Sequence, residues 1–355
     1  MSRTRRRWVV HAAATASSCS SLVFMSIEDV LVRRNVTSGP LVTVLRARSS
    51  CSVMTTTPFV SKSSATAALH SLDRPDWLTL DVWPFPVRSL TVDGNRVAVT
   101  DTGSDGPVML FCHVGMWSLL WRDVIVEMAK TYRCVTFDTP GVGLSERLGR
   151  SDQTMTKAVR AVGMVIDTLD LRDIVLVVHD LGGLAGLAAV NDRSDRVAAV
   201  AVVNGFGWRP RGVMLPVALR MFGSTVIREM SAFTGWLPAG SSTRFGVGRY
   251  MSIPTRRAWK AGLRDRSARR VTHRLFADAA RNRAVQRDAE EAIAALADRP
   301  LVTIFGQFGD YLRFRRQWRK RRPDLTERTI KRGLHFPMCD NPQQVAAFLK
   351  ETINM

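Results

Sequence analysis

From Trp77 onward the apolar positions of the chain fall into two alternating rhythms. Val108–Cys112 (VMLFC), Arg133–Phe137 (RCVTF), Ile174–Val178 (IVLVV), Val197–Val203 (VAAVAVV) and Leu301–Phe305 (LVTIF) are short runs rich in apolar and β-branched side chains. Such runs predict strands buried on both faces. Between them, Ser118–Lys130, Gln153–Leu169 and Gly182–Val190 show helical periodicity or composition. Val87–Val92 and Arg96–Val99 predict a hairpin turning at Asp93-Gly94-Asn95. A short strand at Thr329–Ile330 and a helix over Gln343–Thr352 close the chain. Strands joined by helices predict a mostly parallel sheet flanked by helices, with the hairpin as an antiparallel edge.

Two stretches break the rhythm. Between residues 206 and 298 the strands stop; the segment reads as helical, rich in Arg, Ala and aromatics and punctuated by Pro216, Pro238 and Pro254. It is too long for a loop, and it reads as a helical cap above the sheet. Residues 1–53 are Ser/Thr/Ala-rich and carry Arg3, Arg5, Arg6, Arg7, Arg33, Arg34, Arg46 and Arg48 against Glu28 and Asp29. They read as a disordered extension or as a start placed too far upstream, with Met54 as the true start. Thr4–Val10 resembles a twin-arginine signal, but HAAATASSCSS is a poor apolar core for export. A cytoplasmic location is expected, with export as the alternative. The predicted division is therefore 1–53 extension, 54–205 first part of the core, 206–298 cap and 299–355 second part of the core.

Composition narrows the function. No stretch of the 355 residues has the roughly 18 to 20 uninterrupted apolar positions of a membrane span. The net charge of +20, from 51 basic and 31 acidic residues, raises nucleic acid as a partner. No nucleic-acid-binding motif accompanies it, so a basic enzyme surface is expected and nucleic acid is not. The run Arg313, Arg315, Arg316, Arg319, Lys320, Arg321, Arg322 reads as a solvated helix face. The cysteines Cys19, Cys51, Cys112, Cys134 and Cys339 are odd in number and lack metal-ligand spacing, which predicts neither a disulfide framework nor zinc. Cys112 and Cys134 fall in core strands as buried thiols, weakly favouring a reducing compartment. Gly141 and Gly143 lack the Lys-Ser/Thr ending of a phosphate loop, and no cofactor is expected.

The chemistry-bearing segment is IVLVVHDLGG, Ile174–Gly183. A buried strand runs into a tight turn and a helix, the setting of a nucleophile elbow, and Asp180 stands at its apex. The competing reading is an aspartate that merely caps the helix. Two later segments bear on the choice. LVTIFGQFGD ends a strand and places Asp310 in the following loop, and RGLHFPMCDNP places His335 between a strand and the last helix. The order Asp180, Asp310, His335 is nucleophile, acid, histidine.

From about residue 77 to the end the chain resembles the haloalkane dehalogenase and epoxide hydrolase branch of the α/β-hydrolases. The resemblance is carried by CHVGMWSLLWRDVI (Cys112–Ile125), VTFDTPGVGLSER (Val135–Arg147), VVHDLGG (Val177–Gly183), VVNGFGWRP (Val202–Pro210) and GLHFPMCDNP (Gly333–Pro342). It implies the α/β-hydrolase fold: a mostly parallel eight-stranded sheet flanked by helices, with a helical cap inserted after the sixth strand. It implies an Asp180 nucleophile that displaces a leaving group from saturated carbon and forms an alkyl-enzyme ester. His335 then activates water, and Asp310 holds the imidazole. The oxyanion hole falls to Leu181, with Val114 or Gly115 as second donor. His113, Trp117, Trp208, Tyr250 and Phe336 are the expected pocket residues, and the partners are a small apolar organic substrate and water.

Two departures bear on the leaving group. The branch's dehalogenases carry Trp after the nucleophile to hold the halide, and here that residue is Leu181. Their oxyanion loop reads H-G-N-P or similar; here it reads His113-Val114-Gly115-Met116, without the Asn donor. Epoxide hydrolases use two cap tyrosines, and only Tyr250 lies in the segment read as the cap. Epoxide hydrolysis and a non-catalytic ligand-binding role remain the alternatives.

Overall fold

The computed structural model of the chain describes residues 69–353, which fall in one compact unit. The expected extension 1–53, Met54, Cys19 and Cys51 lie outside the described residues. Nine strands form one sheet: β1 (His70–Ser71), β2 (Arg88–Val92), β3 (Asn95–Asp101), β4 (Val108–Cys112), β5 (Arg133–Phe137), β6 (Ile174–Asp180), β7 (Val197–Gly205), β8 (Leu301–Gly306) and β9 (Thr326–Ile330). Their order is β1-β2-β3-β5-β4-β6-β7-β8-β9. The pairs β1/β2, β2/β3 and β3/β5 are antiparallel and the rest parallel. The count corrects the expectation of eight strands. The ninth is the two-residue edge strand β1, too short and too polar to show in the sequence pattern. The helical insertion follows the strand expected, Val197–Gly205, which counts as the seventh once β1 is included.

The hairpin turn is also tighter than expected. Asp93 (φ 46°) and Gly94 (φ 76°) both take left-handed conformations, and Asn95 already pairs with Val92. Two positive-φ residues in a two-residue loop match the right-handed twist of the flanking strands. The central strands are apolar throughout, and Val175 to Val178 of β6 are all buried. Each strand is covered on both faces, so both parities of the pleat must be apolar.

Helices α1 (Arg122–Met128), α2 (Met155–Thr168), α3 (Leu181–Ala189) and a one-turn 3₁₀ segment Ser118–Trp121 connect the first strands. Every residue of α3 is buried. Gly205 and Leu301 bracket α4 (Met214–Phe222), α5 (Thr225–Thr234), α6 (Trp236–Ser241), α7 (Ile253–Gly262), α8 (Arg266–Ala279) and α9 (Arg283–Ala295). Helices α10 (Phe314–Arg321), α11 (Pro337–Asp340) and α12 (Pro342–Ile353) complete the chain.

The arginine run on α10 is only partly a solvated face. Arg313, Arg316, Arg319 and Lys320 are exposed. Arg322 is buried, donates to the carbonyls of Leu296 and Arg299 and pairs with Asp324. Arg321 lies over the Trp208 ring at 4.2 Å, and Arg315 donates to the Phe305 carbonyl. Long cationic side chains bury their stems while their heads find carbonyls or rings. Cys112 and Cys134 are buried free thiols in β4 and β5, as expected. Burial raises both above the usual thiol range, Cys134 to about 12.

Candidate active site

Asp180 closes β6 with φ 48° and ψ −123°. A non-glycine residue in this region costs about 1–3 kcal/mol and persists only where its surroundings impose it. The imposition is visible two and three residues on. A β-carbon on Gly182 would fall 2.5 Å from the Cys112 carbonyl oxygen, and one on Gly183 2.2 Å from that of Phe206. Only glycine lets α3 start so close to the ends of β4 and β7. Asp180 stands at the N-cap position of α3 but makes no capping hydrogen bond. The helix-cap reading of this aspartate therefore fails, and its carboxylate is left for other work.

That carboxylate meets His335: Nε2 lies 3.6 Å from Asp180 Oδ2. A quarter of the Asp180 side chain and 29% of the His335 side chain remain open to solvent. Burial pushes the Asp180 carboxyl up, but His335, His179 and the Leu181 N–H together outweigh it and hold the group below its usual value. Below them lies His179, whose Nδ1 is 2.7 Å from the Val203 carbonyl oxygen. A carbonyl only accepts, so Nδ1 carries the proton, and Nε2 is a buried acceptor with no partner. Burial, followed by the nearby His335, lowers His179 to about 3 and keeps it neutral. Its ring is tilted against His335 at 5.0 Å and against Phe336 at 5.2 Å. Phe336 in turn lies edge-on to His335 at 4.7 Å, as an apolar wall.

The loop carrying His335 is clamped by residues the sequence did not flag. Asn204, with φ 43° near the end of β7, donates from Nδ2 to the carbonyls of Leu334 (3.1 Å) and His335 (3.0 Å). Its Oδ1 accepts from the Gly306 N–H at 3.1 Å. Asp340 accepts from the Leu334 N–H at 2.6 Å. The only sequence trace of Asn204 is a polar residue ending an apolar strand before glycine (VVNG). Asp310 is placed at the neighbouring loop, where the Phe308 N–H donates to the Gly333 carbonyl at 2.9 Å. Its carboxylate accepts from the N–H groups of Phe314 (2.6 Å) and Arg315 (3.3 Å) at the start of α10. Among the described residues no hydrogen bond joins Asp310 to His335. The structure brings Asp180 and His335 together and leaves Asp310 as a helix-capping acid beside them.

The expected oxyanion donors separate similarly. The Leu181 N–H faces the Asp180 carboxylate. The Gly115 N–H is committed to Thr139 Oγ1 at 3.1 Å, and the Gly115 carbonyl accepts from Thr272. This removes Gly115 as a donor and leaves Val114, whose N–H meets no acceptor among the described residues. The same loop is bolted down by Asp138, which is buried and accepts from the N–H groups of Ser118 (2.8 Å) and Leu144 (2.7 Å).

Of the expected pocket residues, Phe336 lies against His179 and His335, and His113 lies near His179. His113 is buried on Phe137, and burial, then the neighbouring His179, lowers it to about 3. Trp117 donates its indole N–H to the Trp259 carbonyl at 3.3 Å and packs against Trp77 and Trp259. Trp208 is buried among Phe206, Phe314 and Trp318. Both tryptophans are packing residues, since a large aromatic contributes most by burial. Tyr250 is two-thirds exposed, with Arg249 over its ring, so its phenol stands in solvent rather than in an enclosed pocket.

Comparison with known proteins meets this geometry. The family profile described as alpha/beta hydrolase fold matches residues 107–342. The chain belongs to this family. It is similar to haloalkane dehalogenase 2 of Mycobacterium tuberculosis (strain ATCC 25618 / H37Rv), with 26% identity over 284 residues, 76% of this chain and 96% of the relative. It is also similar to the cis-3-alkyl-4-alkyloxetan-2-one decarboxylase of Shewanella oneidensis, with 24% identity over 285 residues, 75% of this chain and 88% of the relative. Among solved structures, haloalkane dehalogenase DbeA from Bradyrhizobium elkani USDA94 superposes with a TM-score of 0.64 at 21% identity, covering 76% of this chain and 99% of that one. Within the α/β-hydrolase family the chain is thus similar both to haloalkane dehalogenases and to an oxetanone decarboxylase.

Proposed function

We propose that the enzyme attacks a saturated carbon of a small apolar substrate through Asp180. The observation that carries this reading is the uncapped, positive-φ aspartate whose carboxylate sits 3.6 Å from His335 Nε2. An Oδ atom of Asp180 forms a bond to the substrate carbon while the leaving group departs with its bonding pair. The Leu181 and Val114 N–H groups then face the carbonyl oxygen of the resulting ester. His335 Nε2 takes a proton from water, the hydroxide adds to the ester carbonyl, the alkyl–oxygen group takes that proton and leaves as the alcohol, and the new Asp180 carboxyl loses its proton to solvent. This step restores the Asp180 carboxylate. Asp310 supports the imidazolium by charge, since its oxygens are already occupied at α10. The helices between β7 and β8 form the cap, and the clamps of Asn204 and Asp340 hold the histidine loop beneath it.

A second reading rests on Leu181, which offers no side-chain donor to a departing halide. A strained four-membered lactone needs none, because its leaving group is a carboxylate that stays on the substrate. Attack by Asp180 on the alkoxy carbon breaks the ring C–O bond. Loss of CO₂ then forms the C=C bond as the Asp180 carboxylate departs, with no water consumed. The likeness to an oxetanone decarboxylase supports this reading. The exposed phenol of Tyr250 argues against a cap-tyrosine epoxide hydrolase.

The test is the intact mass of a His335→Gln variant after incubation with brominated alkanes, epoxides and a cis-dialkyl β-lactone. A stable adduct from a bromide or an epoxide, absent when Asp180 is also Asn, supports the hydrolytic reading and names its leaving group. Alkene and CO₂ from the lactone, lost only with Asp180→Asn, support the second. No adduct and no product from any of these would sink both.

A further inference from the structure

Helix α5 is built inside out. Its buried residues are Arg228, Ser231 and Ala232, while Val226, Met230 and Phe233 face solvent. Their spacing of i, i+4, i+7 forms one stripe on one side of the helix. Val226 is 77% exposed and Phe233 61%. The preceding helix α4 repeats the arrangement, with Leu215 and Leu219 buried and Met214, Val217 and Met221 exposed at i, i+3, i+7. Both helices pack on α8, so both stripes point away from the body of the protein. Two adjacent apolar stripes exceed the scattered single exposures normal for a surface.

The surrounding charge identifies the cover. From Arg209 to Arg281 there are fifteen Lys and Arg residues against three acidic ones, Glu229, Asp265 and Asp278. Glu229 is itself taken up by Arg228 and Arg270. Where α4 hands over to α5, a groove is lined by Arg220, Ser224, Thr225, Arg228 and Arg281. A second copy meeting this face would bring cation against cation. An anionic lipid surface matches both features: acyl chains receive the stripes, and headgroups meet the arginines around them. No described helix is long and apolar enough to cross a membrane, so α4 and α5 lie along the surface. We propose that this face docks the enzyme on an anionic membrane surface.

The test is sedimentation of the full-length protein with vesicles of phosphatidylcholine alone, or of phosphatidylcholine with about one-third phosphatidylglycerol, at low and high salt. Wild type is expected to sediment with the anionic vesicles and hardly with the neutral ones, with added salt weakening binding without erasing it. The triple substitution Val226→Ser, Met230→Ser, Phe233→Ser is expected to weaken vesicle binding at least about tenfold. Its melting temperature should stay close to the wild-type value, because the three side chains are exposed and the Arg266 guanidinium over the Phe233 ring is a surface contact. Failure of wild type to bind anionic vesicles overturns the proposal. So does equal binding by wild type and the triple variant, which would assign binding to charge elsewhere on the chain. A wild-type dimer by light scattering, made monomeric by the triple substitution and indifferent to vesicles, would overturn it in favour of a second copy.

Discussion

Strand β6 and helix α5 use the same kinds of side chain in opposite directions. In β6 each apolar residue from Ile174 to Val178 is buried between two layers of helix. In α5 Val226, Met230 and Phe233 point out, and an arginine and a serine point in. The difference shows where the stability of the fold resides. The sheet draws on the hydrophobic effect for its own cohesion. The insertion is held together partly by internal polar contacts, among them Arg270 to Glu229 and Arg269 to the Ala232 carbonyl, and keeps apolar surface in reserve. The proposed reactive pair, Asp180 and His335, lies on the sheet side of this divide, in the turn leaving β6 and the loop following β9.

The largest effect should come from the elbow itself. Asp180→Asn is expected to lower turnover at least about a thousandfold, since a neutral amide cannot displace a leaving group. Because the carboxylate caps nothing, the melting temperature should fall little. A large fall in melting temperature would mean that Asp180 serves the fold. Next in size is a contrast between the two regions. Leu176→Ala in β6 is expected to destabilise by about 2–5 kcal/mol, and Met230→Ser on α5 by no more than about 0.5 kcal/mol. Equal losses in urea unfolding would break the comparison.

The third effect lies in the support of the histidine. Asn204→Ala removes three hydrogen bonds that fix the His335 loop to β7 and β8. Turnover should fall about 10- to 100-fold with KM nearly unchanged, as small misplacements of a catalytic group are costly. If Asn204→Asp recovers the wild-type rate, the accepted Gly306 N–H is the contact that matters. If KM rises instead of turnover falling, the residue shapes the pocket rather than the histidine.

These elements differ in how visible they are in the sequence. The strands and the elbow are legible because their causes are local: a β-branched run, then an aspartate and two glycines. Asp310 is at the predicted place, but its role depends on the Phe314 and Arg315 N–H groups, which a linear pattern does not aim. Gly115 is lost as a donor because Thr139, from farther along the chain, accepts its N–H. Trp208 has the composition of a pocket residue, and only the packing of Phe314 and Trp318 shows it to be core. In α5 the periodicity predicts an amphipathic helix but not which face turns inward, because that is decided by α8.

The smallest effect tests whether the two halves of the reactive pair share their charge. The Asp180 carboxyl is raised by burial and brought below its ordinary value of 3.8 by His335, with smaller help from His179 and the Leu181 N–H. Attack requires the ionised form, so a lowered value keeps the nucleophile active as pH falls through about 4, where an ordinary aspartate is half protonated. The same shift contributes stability that is present above the unfolded-state value and is lost as pH falls through the folded one. His335→Gln removes the imidazole facing Asp180 but leaves the burial. The midpoint for ester formation should then rise. The readout is the rate of adduct formation in the variant against the pre-steady-state burst of wild type, each followed from pH about 3 to 7. Coincident midpoints would mean that His335 does not set the charge of Asp180, and that the elbow owes its ionisation to the backbone of α3 and to His179 instead.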